Sequence, residues 1–200
     1  KLNKEYIGLN LSPLSLKEIY GYFDNDTIQR MVSLIQNIYL KFNKDILLIP
    51  HVFSKTESDD DYRFLKKIKE MISPKFSSHI HMIEEDIGFL GTKNKIKQCE
   101  IVISARMHCC VNAICENVPA IFLSYSDKSK GMCKYIYNTE RYAINLKSSD
   151  FEKSLMETIE LFLNDKDKIS LYLEERNNMI TSEYQNNLID IKEILNGYDK

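Results

Sequence analysis

Residues 101–131, IVISARMHCCVNAICENVPAIFLSYSDKSKG, predict two buried strands joined by one helix. Residues 101–104 and 120–124 are short apolar runs, typical of parallel strands that are covered on both faces. Residues 107–116, between them, have the spacing of an amphipathic helix. The expected apolar face of this helix consists of Met107, Val111, Ile114 and Cys115. The stretch therefore predicts a βαβ unit with a right-handed crossover.

The same alternation of strands and helices extends along the rest of the chain. Further strands are predicted at residues 6–11, 46–50, 79–83 and 142–146. Helices are predicted at residues 24–42, 59–72, 87–98, from about 128, at 151–163 and at 166–195. Repeated βα units with apolar strands indicate a mainly parallel sheet with helices on its faces. Because the 200 residues contain no linker, low-complexity tract or internal repeat, we expect one α/β domain over residues 1–200.

Arg106 and His108 lie at the junction between the predicted strand 101–104 and the predicted helix 107–116. The carboxyl edge of a parallel sheet is where α/β proteins bind ligands, and the free N–H groups of a helix N-terminus favour anions. We therefore expect Arg106 to hold a negatively charged group. The alternative, in which each residue is an ordinary surface cation or a satisfied polar group, stays open.

A basic segment begins at the end of the predicted strand 120–124. It offers hydroxyl groups, two ammonium groups and helix N–H donors at one place: Ser124, Tyr125, Ser126, Lys128, Ser129 and Lys130, ending at Gly131. The segment lacks the GxxxxGK[ST] order of a nucleotide-binding P-loop, so it does not indicate a nucleotide. Its alternative interpretation is a capped helix start with scattered surface lysines.

Three other segments are expected at the same edge of the sheet. Gly8 lies in the predicted strand 6–11, where a missing side chain permits close backbone approach. Residues 10–15, beginning with Asn10, follow as a binding loop or a simple turn. His51 follows the predicted strand 46–50 and can donate to a phosphate or a hydroxyl, or cap the strand end. Residues 84–86 are acidic and can hold sugar hydroxyls, although charge runs more often solvate a helix start.

The composition limits the classes of partner. A formal net charge of −2 argues against a general surface for nucleic acid or anionic membranes, because both favour a strong basic excess. No apolar run approaches the length of a transmembrane helix. Any anion site must therefore be local.

The five cysteines form no CxxC pair and have no zinc-type spacing with histidine, so we expect reduced thiols and neither metal nor cofactor. Most of them fall on positions expected to be buried, where cysteine behaves as a small apolar residue. Cys109 follows His108 directly, and a nucleophile paired with that histidine is the alternative. Neighbours on a helix point in different directions, which disfavours this pairing.

The ISARMH sequence at 103–108, followed by a helix and by VPAIFLSYSDKSKG at 118–131, closely resembles the C-terminal half of the polysaccharide pyruvyl transferase family. The resemblance extends more loosely to IGLNLSP at 7–13 and ILLIPHVF at 46–53. Members of this family transfer pyruvate from phosphoenolpyruvate to sugar hydroxyls as a ketal. They look like two facing Rossmann-type domains, as in GT-B glycosyltransferases. The resemblance therefore implies a Rossmann-like three-layer domain, the GT-B-like C-terminal one, with long terminal helices.

The resemblance also implies roles for the RMH triplet. Arg106 becomes the clamp for the donor anion, since its guanidinium can grip a carboxylate or a phosphate through two parallel hydrogen bonds. His108 becomes the candidate group for proton transfer near neutral pH. Phosphoenolpyruvate is then the donor substrate, and the acceptor is a sugar or a lipid-linked saccharide of a cell-surface polysaccharide. We expect a cytoplasmic enzyme, with peripheral attachment to the inner membrane face as an open alternative.

The chain begins with Lys1 and resembles only the second half of the family, so we expect a fragment that lacks an N-terminal domain. No base for the acceptor hydroxyl is visible, and the fragment alone is expected to be inactive. Five apolar residues of the last helix pack within the domain or face that missing domain: Leu171, Leu173, Met179, Ile180 and Tyr184.

Two other functions stay open. The first is a GT-B glycosyltransferase or epimerase that uses a nucleotide sugar, with its pyrophosphate over residues 124–131 and Glu84 or Glu85 as the ribose partner. Nucleotide binding would distinguish it. The second is a non-catalytic anion-binding domain, which a turnover assay would distinguish.

Overall fold

The computed structural model describes the backbone of residues 5–21 and 24–197, and side chains as far as residue 188. The first four residues of the expected domain lie outside the described part. Six strands are present in it: β1 (Tyr6–Asn10), β2 (Asp45–Leu48), β3 (Ile80–Met82), β4 (Cys99–Ser104), β5 (Ala120–Ser124) and β6 (Ala143–Asn145). They form one sheet in the order β3-β2-β1-β4-β5-β6, and every neighbouring pair is parallel.

Helices cover both faces of the sheet. They are α1 (Pro13–Tyr20), α2 (Asn25–Phe42), α3 (Asp61–Met71), α4 (Gly88–Ile96), α5 (Met107–Cys115), α6 (Asp127–Tyr137), α7 (Phe151–Asn164) and α8 (Lys166–Gly197). Short 3₁₀ helices span Glu57–Asp59 and Pro74–His79. On one face α2 contacts α3 and α7, and on the other α5 contacts α4 and α6. The expected Rossmann-like three-layer α/β fold is confirmed.

The strands form because their residues are apolar on both sides. All six residues of β4 and all five of β5 are buried, as expected for central parallel strands. In β1, a Cβ atom at Gly8 would lie 2.9 Å from Cys99 Sγ and 3.0 Å from Ile49 Cδ1. Close packing by Cys99 and Ile49 therefore accounts for the glycine at position 8, without a ligand.

Two helices differ from the sequence-based expectation. Residues 10–15 were expected to be a loop, but α1 begins at Pro13, whose fixed φ and missing N–H suit the first helical position. The predicted apolar face of α5 is wrong for Cys115, which is exposed, whereas Ile114 is buried and Met107 packs against the core. The side chains that α5 buries are Cys109, Cys110, Asn112, Ala113 and Ile114.

The last helix is only partly packed on the domain. Leu173 is fully buried and Ile180 packs against the core, so both residues pack within the domain. Leu171, Met179 and Tyr184 are exposed. Within the described part of the chain, none of the helices combines the length and the hydropathy needed to cross a bilayer.

Candidate functional site

The strand order reverses between β1 and β4, and Arg106 lies at this point. The chain leaves β1 toward β2 on one side and leaves β4 toward β5 on the other. The last residues of these strands, Asn10 and Ser104, are direct neighbours in the sheet. Open α/β sheets bind ligands in the crevice outside the carboxyl ends of the strands at such a switch point. The fold therefore places Arg106 where a ligand site is expected.

Asn10 joins the loops that surround this crevice. Its Nδ2 donates to the Ile49 carbonyl and to Asp61 Oδ2, both at 3.0 Å. Its Oδ1 accepts from Ser104 Oγ at 2.9 Å and from the Arg106 backbone N–H at 3.1 Å. An amide side chain has two hydrogens and two main acceptor positions, and all four are used. Asn10 was expected to bind substrate, but these bonds make it a positioning residue.

Asp61 is the buried counter-ion of Arg106. Its Oδ1 accepts from Arg106 Nη2 at 2.9 Å and from Nε at 3.2 Å. Its Oδ2 accepts from the backbone N–H groups of His51 and Val52, each at 3.2 Å. The side chain of Asp61 has no exposed area. This carboxylate therefore fixes the guanidinium plane and the segment after β2 at the same time.

Asp59 supplies a second, more accessible carboxylate. Arg106 Nη2 donates to Asp59 Oδ1 at 2.6 Å and to the Asp59 carbonyl at 3.1 Å. Burial alone would lower the pKa of Arg106, but the hydrogen bonds and charges of Asp61 and Asp59 outweigh it and raise that pKa. The negative partner expected for Arg106 is thus present within the chain itself. Among the described residues none accepts a hydrogen bond from Arg106 Nη1.

Arg106, Asp59, Asp61 and Asn10 together form the Arg106 cluster, and His51 connects it to the neighbouring helix α5. Its Nε2 lies 3.0 Å from Asn112 Nδ2. Since an amide nitrogen only donates, Nε2 accepts and the ring proton lies on Nδ1. Burial lowers the pKa of His51, although the charge of Asp61 opposes this. The ring is therefore neutral at pH 7 and carries its proton on Nδ1.

His108 is exposed in the first turn of α5, one turn before Asn112. Residues four apart lie on the same helix face, so His108 and Asn112 border one region. His108 is also close enough to His51 for its charge to lower the pKa of that ring. The two histidines expected at the site are thus near each other, and His108 is the one open to a ligand.

The helix predicted from about residue 128, after β5, is present. α6 begins at Asp127, so Lys128 and Lys130 lie in its first turn and not in a preceding loop. Lys128 is exposed, whereas Lys130 pairs with Asp127 at 3.2 Å. Ser129 is buried. Of the two lysines, only Lys128 is therefore free of an ion pair among the described residues.

The hydroxyl groups of this segment divide into internal and site-facing ones. Ser124 is buried and its Oγ donates to the Ser126 carbonyl at 2.9 Å. Tyr125 is half-buried, and burial raises the pKa of its phenol, while the charge of Arg106 opposes the shift. Tyr125 is therefore close enough to Arg106 for its charge to act on the phenol, and Ser124 shapes the turn.

The helices α1, α5 and α6, which begin around the crevice, lack a side-chain cap. The residues in the capping position of α1, α5 and α6 are Ser12, Arg106 and Ser126, and none of their side chains accepts a hydrogen bond from the helix. By contrast, Asp24 caps α2 and Asp60 caps α3. Uncapped N–H groups remain available to an anion.

Sequence reasoning missed Asp59, Asp61 and Asn112 as members of the site. All three acidic residues 59–61 fall at the start of the predicted helix 59–72, and Asp60 does cap the helix, because its side chain accepts from the Arg63 N–H at 3.1 Å. Three consecutive acidic residues exceed what one helix start requires, and this excess was the available signal. Asn112 is a polar residue on a buried helix face, where a polar partner is normally required.

One alternative loses support from the geometry. Cys109 is fully buried, and burial raises the pKa of its thiol to about 12, which opposes a role as a nucleophile. Glu84, one of two candidate ribose partners for a nucleotide sugar, forms an ion pair with Lys69. Residues 84–86 are exposed, and Asp86 Oδ1 accepts from the Gly88 N–H at the start of α4. This agrees with the solvation of a helix start.

These features define a doubly wound α/β domain with a polar cluster at its topological switch point. The family model for polysaccharide pyruvyl transferase matches residues 7–127, which include β1 through the first residue of α6. The chain therefore belongs to the polysaccharide pyruvyl transferase family. No curated protein matches the sequence significantly.

Among solved structures, the chain is similar to the UDP-GlcNAc 2-epimerase from Methanocaldococcus jannaschii. The TM-score is 0.53 with 17% sequence identity, over 82% of this chain and 40% of the epimerase chain. At this identity the likeness shows the fold alone, and it agrees with the expected GT-B-like domain. The chain spans less than half the length of that protein.

Proposed function

We propose that this chain carries the donor side of a pyruvyl transferase, with phosphoenolpyruvate as the donor and a saccharide hydroxyl as the acceptor. The observation that carries the proposal is the Arg106 guanidinium, held on buried Asp61 at the switch point with Nη1 left for a ligand. Family membership supports the transferase class.

Phosphoenolpyruvate carries its phosphate ester and its carboxylate on the same carbon atom. In the proposed complex, Arg106 Nη1 and the open N–H groups of α5 hold one of these groups. The exposed ammonium of Lys128 and the N-terminus of α6 hold the other. Asp59 competes with the ligand for Arg106, and its half-exposed side chain can move away when the ligand arrives. The donor anion then takes the place of that carboxylate.

His108 is the proposed proton-transfer residue. The reaction adds a proton to the methylene carbon of the donor, which makes the neighbouring carbon electrophilic. One acceptor hydroxyl attacks that carbon and loses its proton. Phosphate then departs, and a second hydroxyl of the same sugar adds to the carbon and loses its proton, which closes the ketal. An exposed imidazole in the first turn of α5, beside Arg106, is placed to exchange protons with a ligand there. The opposing wall and the base for the acceptor are assigned to a second, N-terminal domain, without which we expect no transfer.

Calorimetric titration of phosphoenolpyruvate and of inorganic phosphate into this chain tests the donor assignment. Arg106→Lys keeps the charge but loses the fork geometry, so the affinity for phosphoenolpyruvate should fall about tenfold or more. Asp59→Asn removes the competing carboxylate and should raise the affinity.

The binding should weaken as salt rises, because the contacts are ionic. Lys75→Ala, a change of charge on the Pro74–His79 segment away from the site, serves as the control. Equal affinities in the wild type, Arg106→Lys and Asp59→Asn would contradict the assignment.

A further inference from the structure

A cleft of about 340 Å³ opens beside the Arg106 cluster, between the segment that follows β2 and the start of α4. Its volume lies at the lower end of the range of about 300–1,000 Å³ that small-molecule sites occupy. None of the donor-side roles proposed above uses its walls, apart from His51. The cleft is therefore a candidate for a second ligand.

Two aromatic rings border the cleft. Phe53 is 37% exposed, and its ring stacks on Tyr62 with centroids 5.6 Å apart and an interplanar angle of 23°. One face of Phe53 is thus covered and its orientation is fixed. Phe89, the second residue of α4, is 61% exposed. Exposed aromatic rings at the mouth of a cleft are suited to a ligand with an apolar face.

Polar groups lie between the two rings. The cleft is lined by the His51 ring, the Asn112 amide, Thr92 and the carboxylate of Asp86. Asp86 Oδ1 accepts from the Gly88 N–H at 2.9 Å, and Oδ2 has no hydrogen-bond partner among the described residues. Since His51 is neutral, Asp86 carries the only full charge of the lining. A negative cleft disfavours phosphate and favours a neutral ligand rich in hydroxyl groups.

The cleft and the Arg106 cluster share a wall. The backbone N–H of His51 donates to Asp61 Oδ2, the oxygen that also accepts from Asn10, while its ring contacts Asn112 in the cleft. His108 lies one helical turn from Asn112, on the side of Arg106. A hydroxyl of a ligand in the cleft can therefore approach a donor held at Arg106.

We infer that this cleft is the acceptor subsite and binds one neutral pyranose ring. The C–H face of the sugar stacks on Phe89, and its hydroxyls bond to Asp86, Asn112 and His51 Nδ1–H. This inference rests on the proposed function, because it assigns the acceptor of that reaction.

Saturation-transfer NMR on this chain, with methyl pyranosides of glucose, galactose and mannose as the probes, tests the inference. At least one pyranoside should give a signal, and Phe89→Ala should reduce it about fivefold or more, which matches one lost aromatic contact of about 1 kcal/mol. Leu90→Ala is the matched control, because Leu90 is the next residue of α4, is 72% exposed and does not line the cleft. Phosphoenolpyruvate affinity should be unchanged in both variants.

The outcomes separate the two proposals. If phosphoenolpyruvate binds but no pyranoside does, or if Phe89→Ala and Leu90→Ala behave alike, the acceptor subsite is refuted and the donor assignment stands. If a pyranoside binds through Phe89 but phosphoenolpyruvate does not bind, the cleft is a saccharide site and the proposed function is refuted.

Discussion

Replacing Asp61 by Asn tests whether one buried carboxylate holds the candidate site together. The change keeps the shape of the side chain but removes the charge that Arg106 faces at 2.9 Å. It also puts an NH₂ group against N–H donors from Asn10, His51 or Arg106, whichever way the new amide is turned.

The magnitude follows from the burial of the pair. Arg106 is 13% exposed and Asp61 is not exposed at all, and breaking a buried ion pair by removing one partner costs about 3–5 kcal/mol. For a domain of this size that corresponds to a loss of about 6–20 °C in Tm. Asp59→Asn removes a carboxylate from the same guanidinium, but the side chain of Asp59 is 43% exposed, so its loss should cost about 1 kcal/mol or less.

Urea unfolding followed by circular dichroism measures both variants. The midpoint should fall strongly for Asp61→Asn and little for Asp59→Asn, with the denaturant slope unchanged. If Asp61→Asn stays within 1 kcal/mol of the wild type, or if both variants lose about the same stability, then Asp61 does not anchor the site.

Two further predictions concern other ionisable groups. His108→Gln should lower turnover by about a hundredfold or more, the usual size of a general acid–base contribution, in a protein that joins this chain to the proposed N-terminal domain. Phosphoenolpyruvate affinity and the circular dichroism spectrum should not change, and unaltered turnover would remove His108 from the mechanism. Burial would raise the pKa of Glu100, but its hydrogen bonds with Lys166 and Lys44 outweigh burial and hold that pKa below its ordinary value of 4.5. The folded state therefore binds fewer protons, and the stabilisation present above that value is lost as the pH falls through the lower, folded-state pKa. Urea unfolding at a series of acidic pH values should show a shallower loss of stability for Glu100→Gln, and equal slopes would contradict this assignment.

The sheet could be predicted from the sequence because its strands are buried on both faces. Runs such as residues 101–104 and 120–124 have no polar interruption, and such runs in alternation with helices have few other solutions. α1 was missed because Pro13 suits a turn as well as a first helical position. Cys115 was wrongly predicted to be on the apolar face of α5, because the neighbouring Cys109 and Cys110 are small apolar residues that pack as readily as Val111 or Met107.

The position of the site was predictable, but its internal bonds were not. Arg106 stands at the end of a strand, and the chain order alone places it at the carboxyl edge of a parallel sheet. Its partner Asp61 is 45 residues away in the sequence. The pairing depends on how the segment after β2 folds back over β1, which no local pattern encodes. Asp61 therefore looked like another acidic residue at the start of a helix.

The crevice has a rigid part around Asn10, whose amide uses all of its hydrogen-bonding positions, and an adjustable part nearer to solvent. Asn10 and Asp61 have no exposed surface, and they form hydrogen bonds with each other, with the backbone and with Arg106. Asp59 and His108 are accessible to solvent. An arriving substrate has to reorder only the accessible side chains, so the entropy lost on binding is confined to a few rotamers. Selectivity can then change through surface substitutions while the sheet edge beneath them stays the same.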